Sequence, residues 1–325
     1  MADTVKLGIL GAGYMARAHI EALRDVAGCK VVGVSHARRS SLRKLEKETG
    51  ADPFENPEEL LSAVDAVDIC LPTFLHEEAT LKAARAGVHV LCEKPIALDY
   101  AAAKRMISGC AGAGVLLMVA HCLRFWPEYT FIKESMNSGN FGNLMSFHGW
   151  RHNCTPAWSS RDWLLDESLS GGPTLDLHIH DADMIQFLFG KPSSVRATGF
   201  STGNIRSICS EFKFDSVHHA RAEAGWYFPK SYPFHMGYRA VFENAVVDFH
   251  SQHDPEIRVF RPGGKMWTPK LKLSDGYREE LKYFVDCVRT GREPSLSSAQ
   301  DAALSLRMVL AAASSAKSGK SVRIS

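Results

Sequence analysis

A strand-like run that ends in a glycine-rich turn constrains the fold of this chain more than any other feature. The apolar run Val5–Leu10 leads directly into Gly11-Ala12-Gly13-Tyr14-Met15-Ala16, and a helical pattern follows. In this G-x-G-x-x-A turn, Gly11 would permit the tight bend and Gly13 would let a pyrophosphate approach the helix N-terminus. The pattern predicts a dinucleotide-binding Rossmann turn. The turn residues expected to contact the dinucleotide are Gly11, Gly13, Tyr14 and Met15.

The first half of the chain alternates short apolar runs with helical stretches. Such alternation is typical of βαβ units that feed a parallel sheet. The strand-like runs are Val5–Leu10, Lys30–Val34, Val67–Leu71, Val88–Leu91 and Val115–Val119. We therefore assign residues 1–122 to an NAD(P)-binding Rossmann domain with a doubly wound parallel sheet.

A different pattern begins at about residue 123. Alternating strand-like runs dominate from Ser194 to about Phe260, which indicates a large, mostly antiparallel open sheet. Two amphipathic helical stretches close the chain, about Tyr277–Thr290 and Ala299–Ala316. The fold class is therefore α/β, with residues 123–325 as a second α/β domain. We expect its terminal helix to pack back on the first domain.

Composition narrows the range of partners. The 325-residue chain carries a net charge of +2 with basic and acidic residues interspersed, which argues against nucleic-acid binding. No apolar run approaches the ~18–20 residues that cross a bilayer, and the early first strand leaves no room for a signal peptide. Eight singly scattered cysteines are typical of reduced cytosolic proteins. We expect a cytoplasmic protein whose partner is a small molecule, without nucleic acid or membrane.

The end of the second strand-like run lacks the acidic residue that would bind an adenosine ribose. It reads Ser35-His36-Ala37-Arg38-Arg39 instead. A serine and two guanidinium groups suit a 2′-phosphate, so the sequence favours NADP over NAD. The alternative is a solvated basic loop.

Glu93-Lys94-Pro95 follows another predicted parallel strand, at the edge where open α/β sheets bind ligands. A positive charge on Lys94 would there stabilise the alkoxide that develops when a hydride leaves the neighbouring carbon. The alternative is a surface lysine before a turn proline.

Asp176, His180 and Asp183 have the spacing of one helical stripe. A carboxylate one turn from an imidazole can orient it as the general base for a hydroxyl proton. Two alternatives are a packed core histidine and a metal site built on the three side chains. We favour the general base and expect no metal ion.

Several arginines and tryptophans near the domain boundary could contact a substrate. Indole rings stack on the C–H faces of sugars, and guanidinium groups bind hydroxyl or anionic groups. Core packing explains each of them equally well. These candidates are Arg124, Arg151, Trp158 and Trp163.

Four motifs, taken in order, resemble those of the glucose–fructose oxidoreductase/inositol dehydrogenase (Gfo/Idh/MocA) family. They are Gly11 to Ala16, Leu71-Pro72-Thr73-Phe74-Leu75-His76, Glu93-Lys94-Pro95 and Gly171-Gly172-Pro173-Thr174-Leu175-Asp176-Leu177-His178-Ile179-His180. The resemblance implies a Rossmann domain followed by an open-sheet domain that binds substrate and builds a homodimer or homotetramer. It also implies hydride transfer between a nicotinamide cofactor and a CH–OH or C=O group of a sugar, glycoside or cyclitol.

The resemblance assigns roles to individual residues. Lys94, Asp176 and His180 match the family's catalytic lysine, aspartate and histidine. Pro72, Thr73 and His76 match the loop that lies along the cofactor. We also expect Leu71, Glu93 and Lys94 to contact the cofactor. His178 departs from the family pattern, because glycine is frequent there, and it adds a titratable group near the site. A non-catalytic dinucleotide-binding sensor of the same fold is the alternative function.

Overall fold

The chain forms two compact units. The computed structural model describes residues 4–156, 160–201, 205–215, 219–272 and 274–325. The first unit is Met1–Trp126 with Ser274–Ala303, and the second is Pro127–Leu273 with Leu304–Ser325. We predicted one boundary after residue 122, whereas this division falls after Trp126 and returns the first of the two closing helices to the first unit.

The first unit contains a six-stranded parallel sheet with the order β3-β2-β1-β4-β5-β6. Its strands are β1 (Val5–Leu10), β2 (Cys29–Ser35), β3 (Pro53–Phe54), β4 (Ala66–Ile69), β5 (His89–Glu93) and β6 (Leu117–Ala120). The order reverses between β1 and β4, which is the switch point where such sheets bind ligands. The predicted doubly wound sheet is confirmed, although the two-residue strand β3 was not predicted.

Five helices connect these strands. They are α1 (Tyr14–Leu23), α2 (Arg39–Thr49), α3 (Pro57–Ser62), α4 (His76–Arg85) and α5 (Tyr100–Gly112). Asn56 caps α3 by accepting a hydrogen bond from the backbone N–H of Glu58, and Asp99 caps α5 in the same way through Ala102. Short polar side chains at these positions supply the acceptors that the first helical N–H groups lack.

The second unit is built on an eight-stranded sheet with the order β13-β12-β11-β7-β10-β9-β8-β14. Its elements before the closing helices are α6 (Pro127–Ser138), β7 (Leu144–Cys154), α7 (Glu167–Ser170), α8 (Ile179–Phe189), β8 (Ser194–Ser201), β9 (Ile205–Lys213), β10 (His219–Phe228), β11 (His235–Phe242), β12 (Ala245–His250) and β13 (Ile257–Phe260). Every pairing is antiparallel except that of β7 with β10. The predicted mostly antiparallel sheet is confirmed.

Two helices and a short strand close the chain: α9 (Gly276–Thr290), α10 (Ala299–Ser318) and β14 (Val322–Arg323). In the first unit, Leu281 and Phe284 of α9 join the core formed by β1 and α1. Burial of such side chains stabilises the unit by about 1.5–3 kcal/mol each. Among the described residues, no helix is both long and apolar enough to cross a membrane.

The two faces of the large sheet differ. Gly149 on β7 lies under α8, because a Cβ at this position would be 2.9 Å from the carboxylate of Asp181. Since side chains alternate along a strand, His148, Trp150 and His152 lie on the opposite face. We call the face that carries these three residues the open face.

Candidate functional site

The glycine turn after β1 has the geometry that a dinucleotide needs. Gly11 has a φ of 123°, and a Cβ there would be 2.3 Å from the carbonyl oxygen of Cys70, so this position requires glycine. The Gly11 N–H donates to the Ser35 carbonyl at 2.9 Å, which fixes the turn at the end of β2. A Cβ at Gly13 would meet no atom within 4 Å.

The N-terminus of α1 is suited to an anion. Gly13 occupies the capping position without a side chain to cap the helix, and the first turn, which begins at Tyr14 and Met15, contains no acidic residue. The first N–H groups of a helix are therefore available to a bound phosphate. Together with the open space at Gly13, these features fit the pyrophosphate of a dinucleotide.

The end of β2 carries the residues expected at the adenosine ribose. Ser35 is buried, while Arg38 and Arg39 are exposed at the start of α2. The guanidinium of Arg39 donates to the carboxylate of Glu55, which directly follows the residue that pairs with Ser35. Sequence reasoning missed Glu55, because β3 is too short to be read from the pattern. The Glu55 carboxylate therefore lies beside the basic loop that follows β2.

His36 lies in the same loop and is half-buried. Burial lowers its pKa, and the charge of Arg38 lowers it further. The imidazole is therefore neutral at physiological pH and adds no positive charge beside the two arginines.

The loop after β4 contains the predicted residues Leu71, Pro72 and Thr73, and His76 begins α4. The ring of His76 is buried, with Nδ1 2.9 Å from the Pro95 carbonyl oxygen and Nε2 2.8 Å from the Leu71 carbonyl oxygen. Burial lowers the pKa of His76, so the neutral ring donates to one carbonyl at a time. His76 thus links the loop after β4 to the loop after β5.

Lys94 lies at the carboxyl edge of the parallel sheet, directly after β5. It is half-buried, and its backbone N–H donates to Oε2 of Glu93 at 3.0 Å. The peptide bond from Lys94 to Pro95 is cis. Because β1, β4 and β5 are neighbours in the sheet, the glycine turn, the loop with Thr73 and the loop with Lys94 share one edge.

In the second unit, Asp176 lies in a π-helical turn, Thr174–His178, that runs directly into α8. From residue 172 to residue 186 every residue is buried except Asp176 and His180, which are half-buried. These two side chains are therefore the accessible part of an otherwise enclosed segment. Single π-helical turns are frequent at functional sites.

Asp183 differs from Asp176 and His180 in its surroundings, and its place on a shared stripe stays a prediction. Asp183 is buried and accepts a hydrogen bond from the Ser305 hydroxyl at 2.8 Å. Asp176 lies in the π-helical turn, whereas His180 and Asp183 lie on α8, so the three residues are not on one uninterrupted α-helix. Among the described residues, Asp176, His180 and Asp183 do not form a group with the spacing of metal ligands.

His178 belongs to the core. It is fully buried, and its Nε2 is hydrogen bonded to the Ser210 hydroxyl at 2.5 Å. Burial lowers the pKa of His178 to about 3, so the imidazole stays neutral. His178 therefore fixes the π-helical turn against β9 and holds no charge beside the two accessible residues.

Both halves of the chain match models of one protein family. Residues 5–121 match a model described as "Oxidoreductase family, NAD-binding Rossmann fold", and residues 129–248 match the GFO/IDH/MocA C-terminal domain. The chain belongs to the Gfo/Idh/MocA oxidoreductase family. It is therefore an oxidoreductase with an NAD(P)-binding Rossmann domain.

Relatives along the full length of this Gfo/Idh/MocA chain include two inositol dehydrogenases. The myo-inositol 2-dehydrogenase of Thermotoga maritima is 27% identical, over 98% of each chain. The scyllo-inositol 2-dehydrogenase (NAD(+)) of Bacillus subtilis is 25% identical, over 100% of this chain and 97% of its own. Among solved structures, levoglucosan dehydrogenase in complex with NADH and levoglucosan shares the fold, with a TM-score of 0.87, 20% identity and coverage of 98% and 99% of the two chains.

The remaining substrate candidates of this Gfo/Idh/MocA chain lie in different surroundings. Arg124 is buried and donates to the Leu296 carbonyl and the Asp301 carboxylate, both at 3.0 Å. Arg151 is also buried, with Nε 3.4 Å from Oδ2 of Asp181. Both arginines thus hold protein partners that the sequence did not indicate, and substrate contact stays a prediction for them.

The two tryptophan candidates differ from the arginines. Trp163 packs against an apolar cluster that contains Leu177 and Trp226. Trp158 lies outside the described residues. Substrate contact stays a prediction for these tryptophans as well.

Proposed function

We propose that the chain is a dehydrogenase that interconverts a CH–OH group and a carbonyl on a sugar, a glycoside or a cyclitol, with NAD(P) as cofactor. The observation that carries this proposal is the pair Asp176 and His180, the two accessible side chains of a buried segment. A sensor would have no chemical need to expose a carboxylate and an imidazole in this way. The full-length relatives with inositol dehydrogenase names support the substrate class.

Each proposed catalytic residue has a distinct task. His180 takes the hydroxyl proton of the substrate, and Asp176 orients the imidazole for that transfer. The ammonium group of Lys94 stabilises the negative charge that develops on the substrate oxygen. The bound dinucleotide supplies the acceptor for the hydrogen that leaves carbon with its electron pair. Reduction of a carbonyl runs the same steps in reverse.

The cofactor would lie along the carboxyl edge of the first unit. Gly11, Gly13 and the first N–H groups of α1 would hold its pyrophosphate, and Ser35, Arg38 and Arg39 would bind the adenosine ribose. We propose that NADP binds more tightly than NAD, because no acidic residue ends β2 and two guanidinium groups follow it. Glu55 opposes this preference, since it already accepts from Arg39.

We propose that assembly into a homodimer or homotetramer uses the open face. Phe200 and Tyr227 lie on this face, 47% and 37% exposed, with their rings 5.0 Å apart. Exposed aromatic groups of this kind are typical of surfaces that bind another protein. Light scattering measures the mass of the assembly.

A substrate screen separates the enzyme from a sensor. Purified protein with NAD or NADP is mixed with a panel of pyranoses, glycosides, nucleotide sugars and inositols, and the absorbance of the reduced nicotinamide is followed. We expect steady reduction with at least one polyol. Dinucleotide binding measured by calorimetry, without turnover of any panel member in either direction, would support the sensor instead.

A further inference from the structure

A histidine that no motif singled out lies inside the first unit. His19 is on α1, the helix that starts at the glycine turn, and its side chain is 0% exposed. Its Nδ1 is 2.8 Å from Oδ2 of Asp68 on β4, and its Nε2 is 3.3 Å from Oε1 of Glu93 at the end of β5. The imidazole therefore lies between two carboxylates on neighbouring parallel strands.

Two carboxylates lie beside the ring: Nδ1 is hydrogen bonded to Asp68, and Nε2 forms an ion pair with Glu93. Both partners are acidic, so they favour the positively charged imidazolium form. Burial by itself lowers the pKa of His19, but the charges of Asp68, Glu93 and Glu280 outweigh this effect and raise the pKa to about 9. His19 is therefore positively charged at neutral pH.

Two further groups beside His19 are neutral. The Cys70 thiol donates to Oδ2 of Asp68 at 3.4 Å, and the ring of Tyr277 on α9 is 5.8 Å from the imidazole. Burial raises the pKa of both the Cys70 thiol and the Tyr277 hydroxyl, so both stay neutral. Glu280, also on α9, adds a third acidic group that favours the imidazolium.

Glu93 connects this histidine to Lys94. One of its oxygens faces His19, and the other accepts the backbone N–H of Lys94 at 3.0 Å. Burial raises the pKa of Glu93, and the charges of His19 and Lys94 oppose that shift. Without the imidazolium, Glu93 would more readily take up a proton and would be a weaker acceptor for the Lys94 amide.

We propose that His19 is a positioning residue for Lys94. It holds the Glu93 carboxylate, and that carboxylate fixes the backbone of Lys94 at the carboxyl edge of the parallel sheet. The arrangement also ties α1, which begins at the glycine turn, to the loop that carries the lysine. This inference rests on the catalytic role proposed for Lys94.

The same side chains allow a second interpretation, which the test must decide. One donor atom each from His19, Asp68 and Cys70 lie within 4.8 Å of one another, a spacing that a metal ion could use. Nδ1 of His19 is 2.8 Å from Oδ2 of Asp68, which is the distance of a hydrogen bond between an imidazolium and a carboxylate. We therefore favour the hydrogen bond over a metal ion. Elemental analysis that finds one transition-metal ion per chain would overturn the positioning role.

The first experiment measures the protonation of His19 and does not depend on enzyme activity. Protein with isotope-labelled histidine rings is titrated by NMR, and the His19 signal is identified by its absence from His19→Gln. We expect this signal to titrate near pH 9, and its pKa to fall by about one unit or more in Glu93→Gln. A His19 signal that titrates near 6.5 in the wild type would overturn the inference.

The second experiment measures turnover in His19→Gln, Glu93→Gln and the double variant. We expect His19→Gln to lower kcat by about 10- to 100-fold, while the dinucleotide Kd changes by less than about threefold. Because His19 acts through Glu93, the kcat of the double variant should be no more than about twofold lower than the kcat of Glu93→Gln alone. In His19→Gln, kcat should fall further as the pH drops, since Glu93 then titrates without its cationic partner.

His89→Gln is the matched control. His89 is at the opposite end of β5, where its Nδ1 accepts the backbone N–H of Leu116 at 3.0 Å, and we expect wild-type kcat for it. If Lys94→Ala loses turnover while His19→Gln keeps it, the inference about His19 is wrong and the proposed role of Lys94 is unaffected. Full turnover in Lys94→Ala would overturn the role of Lys94, and the inference with it. If His19→Gln does not fold, wild-type kcat in Glu93→Gln would overturn the inference.

Discussion

His180 is the residue whose replacement tests the proposed chemistry most directly. His180→Ala removes the proposed acceptor of the hydroxyl proton, so we expect it to lower turnover by about 10²-fold or more. The glycine turn and the residues after β2 are unchanged in this variant, so the dinucleotide Kd should change by less than about threefold. His219→Ala is the matched control, because His219 is exposed at the start of β10. Equal turnover in the two variants would contradict the general-base role.

The arginines after β2 test the cofactor preference at the same scale. We expect Arg38→Ala/Arg39→Ala to weaken NADP binding by about 10-fold or more, with little change for NAD, because a 2′-phosphate loses its guanidinium partners. Glu55→Gln should tighten NADP binding, since it frees Arg39 from a carboxylate. Calorimetry measures both affinities.

Arg43→Ala is the control for these cofactor measurements. Arg43 is exposed on the same helix, α2, and we expect the binding of NADP and NAD to be unchanged in this variant. Tighter binding of NAD than NADP to the unmodified protein would contradict the proposed preference.

The π-helical turn and its contact with β9 give a prediction at the scale of elements. The folded-state pKa of His178, about 3, is below the ordinary value of 6.5, so the unfolded chain binds a proton that the folded chain excludes. The stability due to this neutral histidine is therefore complete above pH 6.5 and is lost as the pH falls toward 3. Each pH unit in this window costs up to about 1.4 kcal/mol from this group.

His178→Gln removes this titration and keeps a polar side chain near Ser210. We expect urea unfolding between about pH 6 and pH 5 to show a weaker loss of stability in the variant than in the wild type, by about 1 kcal/mol. Ser210→Ala keeps the titrating ring and is the control. Identical pH dependence in wild type and His178→Gln would show that this histidine is not held neutral.

At the scale of the whole molecule, the open face gives the assembly a predicted pH dependence. Burial lowers the pKa of His148, His235 and His250, and the latter two are lowered further by neighbouring histidines. All three are thus neutral at pH 7 and become charged as the pH falls. Positive charges close together on a face that binds another copy oppose association.

We expect the proposed assembly to dissociate when the pH is lowered from about 6.5 to about 4.5, as measured by light scattering, because the lowered pKa values place the charging of these histidines below 6.5. Glu223 and Asp248 on the same face oppose this effect, while Arg221 and Arg239 add to it. The assembly of the double variant His235→Gln/His250→Gln should keep its mass over the same pH range. A constant mass for the wild type across this range would contradict the prediction.

Features that depend on local patterns can be predicted from the order of the amino acids. The alternation of apolar runs with helical stretches predicted β1, β2, β4, β5 and β6 of the first unit, because the strands and helices of βαβ units follow one another directly along the chain. The glycine turn and the loop with Lys94 could be placed for the same reason, since both directly follow a strand. Parallel strands have their carboxyl ends at one edge, so the sequence also predicted that Lys94 lies at the edge where such sheets bind ligands.

Which side chains are enclosed, and what they contact, depends on the folded chain. Asp183 is enclosed with the hydroxyl of Ser305 as its donor, and His178 is kept neutral by burial beside β9. His19 and Glu93 are 74 positions apart in the chain, so no local sequence pattern indicates that they form an ion pair. Burial and charge pairing are properties of the packed chain, because desolvation and Coulomb attraction depend on distances that folding alone sets.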